Sequence, residues 1–155
     1  MNQLVLIGLN HKFQIGHGKF LQVDVTKEEF EEFKELLRSC ITRYAITGVS
    51  EEMSEEALFK HTQIPENTSV VHDLAMEVDL PHDYADPDTK TRKLKRIEND
   101  DQREEYWMKK IGEFNNFPTL FVCGADHIDS FRQLLETNGF EVIIEHKDWV
   151  PAAQK

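Results

Sequence analysis

Two short apolar runs in this chain end in the same way. LVLI at residues 4–7 leads into GLNH at residues 8–11, and the run within PTLFVCGADH, residues 118–127, leads into GADH and then into the helical stretch IDSFRQLLETNG. A continuous apolar run stopped by glycine suits a strand buried on both faces, as in a parallel sheet covered by helices. Each Gly-x-x-His then sets a histidine just past the carboxyl end of its strand, because glycine permits a sharp exit and close backbone approach. No other feature restricts the fold as much.

The stretch between the two motifs supplies the intervening elements. Residues 12–25 read as a long loop: Gly16, His17 and Gly18 break any helix, and Leu21, Val23 and Val25 alternate with Gln22 and Asp24. Thr26 and Glu29 form a capping box for the clearest helix. Its buried face is Phe30, Phe33, Leu36, Leu37 and Ile41, with Glu28, Glu31, Glu32 and Glu35 left to water. A second strand is expected over residues 44–49, followed by Ser50, Glu51 and Glu52 and a short helix capped by Ser54. Asn67 is expected to cap a helix with Val70, Val71, Leu74, Ala75 and Val78 on one face. A short third strand is expected at residues 82–85, with Asp86 at its end.

Asn99 and Gln102 form a second capping-box signal, opening a helix that carries Arg103, Glu104, Trp107, Ile111 and Phe114. Pro118 starts the fourth strand, Asp126 is the expected cap of the last helix, and Asn138-Gly139 is its left-handed stop. A final strand is expected over residues 140–144, with a tail from about residue 150. Strands alternating with helices imply right-handed crossovers. The expected fold is α/β: a single domain over residues 1–155 with a mostly parallel sheet of about five strands and helices on both faces. A chain of 155 residues suits one core.

Open α/β sheets bind ligands beyond the carboxyl ends of their strands. His11, Glu51 or Glu52, Asp86 and His127 all fall at such ends. Two imidazoles with carboxylates make an N/O donor set suited to manganese, cobalt or zinc, with His11, Glu51, His127 and Asp86 as the candidate ligands. The same groups without metal can activate water by general base catalysis. His127 lies near a helix N-terminus, whose dipole disfavours an imidazolium, so a neutral ring is expected. Arg103 either reaches the crevice to bind a carboxylate or oxyanion or stays with Glu104 on an exposed helix face. Gly48-Val49-Ser50 lacks the closing glycine of a nucleophile elbow, and no Walker loop, HExxH or dinucleotide fingerprint is present.

A net charge of -11 argues against binding to phosphate backbones or anionic membranes. The basic run at residues 90–96 reads as a solvated face. No apolar stretch is long enough to span a bilayer or to serve as a signal sequence. Cys40 and Cys123 fall outside any CxxC pair and suit buried free thiols, so a cytoplasmic location is expected. The expected partner is a small-molecule or peptide substrate, not nucleic acid or membrane, with homo-oligomerisation left open.

The ordered motifs GLNH, Glu51-Glu52, REEYWMKKI at residues 103–111 and FVCGADHIDSFRQLLETNGFEV at residues 121–142 resemble the TraB/TIKI-like family and, more remotely, the erythromycin-esterase/ChaN-like superfamily. The resemblance implies a common α/β core and a site built from His11, a glutamate at 51 or 52, Arg103 and His127. TIKI-like members are metal-dependent proteases, erythromycin esterases open a lactone without requiring metal, and ChaN-like members are implicated in haem or iron handling. The expectation is a hydrolase of an amide or ester bond, using a divalent metal or a His/Glu pair to activate water. The alternatives are a non-catalytic module that binds metal, haem or protein in the crevice, and a partner-binding protein with an apolar patch near Trp149.

Overall fold

The computed structural model describes residues 2–16 and 25–152; His17 and most of the expected loop segment lie outside them. The strands are β1 (Gln3–Leu9), β2 (Gly48–Glu51), β3 (His82–Tyr84), β4 (Thr119–Gly124) and β5 (Glu141–Trp149). The helices are α1 (Lys12–Ile15), α2 (Lys27–Arg43), α3 (Glu55–Thr62), α4 (Val70–Glu77), α5 (Thr89–Lys95), α6 (Asp100–Phe114) and α7 (Ile128–Thr137). The five strands form one sheet in the order β3-β2-β4-β1-β5, and every pairing is parallel. This is the α/β architecture that the alternation of strands and helices implies.

Strand periodicity divides the core in two. Val5, Ile7 and Leu9 of β1, with Leu120 and Val122 of β4, pack against Phe33 and Leu37 of α2 and Val71 and Leu74 of α4. Leu4, Leu6, Phe121 and Cys123 point the other way, onto Trp107 and Ile111 of α6 and Phe131 and Leu135 of α7. Side chains alternate across a strand, so one apolar run serves both layers. The chain therefore leaves β1 over the α2 face to reach β2, and leaves β4 over the α7 face to reach β5. Departures to opposite faces from adjacent strands open a crevice between their carboxyl ends. Both Gly-x-x-His motifs stand at that crevice.

Several boundaries differ from expectation. α2 runs to Arg43 and Ala45 then turns with φ 52, so β2 begins only at Gly48 and Glu51 belongs to the strand. Ser69, not Asn67, caps α4 through its side chain. The chain after β1 forms the one-turn helix α1, with Phe13, Gln14 and Ile15 buried. Asp126 lies in a 3-10 turn, Ala125–His127, and makes no capping bond. β5 continues to Trp149, which is 5% exposed and packs on Phe13 and Phe33 with ring centroids 5.2 and 5.5 Å away. The expected apolar patch there is core. α5 buries none of its side chains, in keeping with a solvated basic face. Among the described residues, no helix is long and apolar enough to cross a membrane.

Gly8 lies where β1 passes beneath the start of α7. A Cβ there would stand 2.2 Å from the Lys147 carbonyl oxygen and 2.6 Å from Ile128 Cγ1. Gly112 in α6 would meet nothing within 4 Å. Gly8→Ala should therefore destabilise by about 1–3 kcal/mol through forced backbone shifts. Gly112→Ala should stabilise by about 0.5–1 kcal/mol through helix propensity. Urea unfolding of the two variants checks the pair; equal effects would contradict the packing described at Gly8.

Candidate functional site at the switch crevice

A cleft of about 350 Å³ opens between the ends of β1 and β4, lined by Asn10, His11, Gly124, Asp126, His127 and Asp148. Glu52, the residue after β2, continues the pairing with β4 by donating its backbone N–H to the Val122 carbonyl at 2.8 Å. The Glu52 side chain, 5% exposed, stands beside the cleft and lines a smaller one of about 150 Å³ with His11, Met53, Asp86 and Arg103. The Gly124 N–H donates to Glu52 Oε1 at 2.9 Å. A Cβ on Gly124 would come to 3.0 Å from His11 Nε2 and 3.4 Å from Glu52 Oε1. Any side chain at this strand end would crowd His11 and touch the carboxylate.

Both histidines turn Nε2 toward that carboxylate. His11 Nε2 stands 3.5 Å from Glu52 Oε1, and His127 Nε2 stands 3.6 Å from Oε2. His127 Nδ1 is paired with Glu104 Oε2 at 2.8 Å, and Ser130 Oγ donates to the same oxygen at 2.7 Å. Its ring meets Trp107 edge-on, with centroids 4.8 Å apart. Glu104 holds the His127 pKa above its ordinary value through this hydrogen bond, against burial, which lowers it, and with the Glu52 charge adding to the rise. This contact works against the neutral ring expected at a helix N-terminus. A carboxylate in direct contact outweighs the dipole of one helix end.

Arg103 closes the floor of the site. Its Nη2 donates to Glu52 Oε2 and, at 3.1 Å, to Asp86 Oδ1; Nε also reaches Asp86 Oδ1 at 3.1 Å, and Nη1 reaches Asp100 at 3.1 Å. The guanidinium lies over the Trp107 ring, 5.3 Å from its centroid. A buried carboxylate needs such a partner, since an isolated charge in low dielectric is strongly disfavoured. Arg103 thus reaches the crevice, with four of its five N–H donors directed to Glu52, Asp86 and Asp100.

Adjacent residues in an extended chain point to opposite faces, and the two glutamates after Ser50 differ accordingly. Glu51 turns to the α4 layer, fully buried, where it accepts from Ser69 Oγ at 2.5 Å and Gln14 Nε2 at 2.9 Å and pairs with His82 Nε2 at 2.6 Å. Asp86 engages Arg92 at 2.8 Å and Trp107 Nε1 at 2.9 Å besides Arg103. The structure therefore brings together His11, Glu52, Arg103 and His127, and gives Glu51 and Asp86 other partners. Among the described residues, no three His, Cys, Asp or Glu side chains form a group that could hold a metal ion. Ser50 is fully buried, and its Oγ has no hydrogen-bond partner.

Two residues of the site were not singled out from sequence. Glu104 is buried beside His127, not on an exposed face. Its spacing from Trp107 and Ile111, three and seven residues on, follows the inward stripe of α6 and was a usable signal. Gln14 lies three residues after His11 in a helix too short to show periodicity. No protein-family model, curated protein or solved structure matches the chain.

The raised His127 pKa carries a stability consequence with a definite sign. The protonated His127–Glu104 pair stabilises the fold fully below the ordinary histidine value of 6.5, and that contribution is lost as pH rises through the higher folded value. Thermal melts from about pH 6 to about pH 9 should show this loss in the wild type and a smaller one in Glu104→Gln. The variant should also be less stable at the lower pH, by about 1–3 kcal/mol. Parallel pH profiles for the two proteins would contradict the assignment.

Proposed function

We propose that the chain is a hydrolase of an amide or ester bond, in which His11 and His127 act as base and acid across the Glu52 carboxylate. The observation that carries the reading is the approach of two imidazole Nε2 atoms, from rings that line an open cleft, to one buried carboxylate at the switch crevice. Divergent environments point to divergent acid–base roles. His127, backed by Glu104, is the ring that holds a proton to give; His11, whose Nδ1 lies 2.6 Å from the Gln14 amide oxygen, has Nε2 left to accept one.

In this mechanism His11 Nε2 takes a proton from water as the oxygen attacks the carbonyl carbon. His127 gives its proton to the departing nitrogen or oxygen as that bond breaks. Glu52 offsets the positive charge on whichever ring is protonated, and both rings return to their starting states by proton exchange with solvent. Arg103 pairs with Glu52 from below. The TraB/TIKI-like resemblance, read from the same motifs, supports hydrolysis. Within it, the metal-free chemistry fits these residues better: Arg103 holds a positive charge on Glu52, and Glu51 and Asp86 are bound to other groups, so a divalent ion beside the histidines would lack a free carboxylate. A small-molecule or peptide substrate suits the cleft, and two buried free thiols accord with a cytoplasmic setting.

A panel of peptides and esters assayed with wild type, His11→Ala, His127→Ala and Glu52→Gln tests the proposal. Each variant should lose about a hundredfold or more in kcat/KM while keeping its circular dichroism spectrum. Wild-type rates in His127→Ala would sink the proposal. Activity that vanishes on chelation and returns with manganese, cobalt or zinc would overturn the metal-free form of the mechanism.

A further inference from the structure

The hydrogen bonds around Gln14 determine which end of its amide faces His11. A primary amide has one end that donates and one that accepts, and a carboxylate or carbonyl oxygen can only accept. Gln14 is fully buried, and its Nε2 faces two such acceptors: Glu51 Oε1 at 2.9 Å and the Glu52 carbonyl oxygen at 3.3 Å. Turning the amide over would set its oxygen against both. The Gln14 Oε1 therefore faces outward, 2.6 Å from His11 Nδ1. An amide oxygen accepts, so Nδ1 must carry the hydrogen. The lone pair of a neutral His11 ring is left on Nε2, the atom that faces Glu52 and the crevice.

The anchor behind Gln14 is itself held. Glu51 has no solvent exposure, and its second oxygen is occupied by Ser69 Oγ and His82 Nε2. The single turn of α1 has a matching purpose: it carries Gln14 three residues past His11, where i,i+3 side chains meet. The His11 side chain is 46% exposed, so packing alone does not restrict its ring. An unconstrained neutral imidazole in water prefers the Nε2–H form, the wrong one for a base acting through Nε2.

We propose that Gln14, anchored by Glu51, is the positioning residue that keeps the His11 proton on Nδ1 and presents the Nε2 lone pair to the crevice. Gln14 touches neither substrate nor water in this role and acts only through His11. The catalytic use of that lone pair rests on the hydrolase reading; the tautomer itself does not.

Nitrogen-15 NMR of histidine-labelled full-length protein at about pH 8, above the ordinary histidine range, reads the tautomer directly. His11 is assigned by the resonances lost in His11→Ala. The wild type should show His11 protonated at Nδ1 and unprotonated at Nε2. Gln14→Met, which keeps volume but removes both polar ends, should move His11 toward the Nε2–H form and lower kcat tenfold or more with KM little changed. A wild-type His11 in the Nε2–H form, or a Gln14→Met protein that keeps Nδ1–H, overturns the proposal. Should Gln14→Met fail to fold, the wild-type spectrum decides alone. The two readings fail separately: an active enzyme with Nε2–H on His11 loses the positioning role only, whereas Nδ1–H in a protein that turns over no ester or amide loses the hydrolase reading only.

Discussion

One buried carboxylate organises the functional end of this molecule. Glu52 accepts a backbone hydrogen bond from Gly124, pairs with Arg103 and has a histidine Nε2 beside each of its oxygens. A charge so nearly removed from water must be paired and hydrogen-bonded to persist. Those requirements determine what surrounds it. Glycine at the strand end leaves room for the closest approach, α6 delivers an arginine, and Arg103 is in turn held by Asp86 and Trp107. Removing Arg103 would leave the buried Glu52 without its cationic partner.

The sheet order explains how residues so distant in sequence reach one carboxylate. β1 and β4 are neighbours, yet their connections depart to opposite faces, which leaves the space between their ends uncovered. β2 lies on the other side of β4 and extends one residue past its last strand position to bring Glu52 beside that space. A second buried glutamate, Glu51, supports the opposite layer and ties α1, α4 and β3 together through Gln14, Ser69 and His82. Consecutive glutamates thus serve two layers, one facing the crevice and one inside the core.

Much of this was legible in the sequence, for physical reasons that apply residue by residue. The apolar runs ending in glycine reported buried parallel strands because both faces of β1 and β4 are covered. The capping boxes at Thr26 and Asn99 marked true helix starts, since each satisfies its own backbone donors locally. The distinction between Glu51 and Glu52 was not legible, because it depends on where β2 starts, and Ala45 delays that start by a turn with no sequence warning. The main influence on the His127 ring was not legible from local context alone. Its dominant partner, Glu104, is 23 residues away in the chain and comes from another helix.

The measurement closest to the centre of this account is an NMR titration of the His127 ring, followed through its carbon-bound protons in wild type and in Glu52→Gln. The Glu104 hydrogen bond, with Glu52 adding to it, should give a wild-type midpoint above the ordinary histidine value of 6.5, and replacing the Glu52 carboxylate by an amide should lower it, because one of the groups favouring the imidazolium is gone while Arg103 remains. A midpoint unchanged by Glu52→Gln would mean that His127 answers to Glu104 alone and that the two histidines do not share a carboxylate.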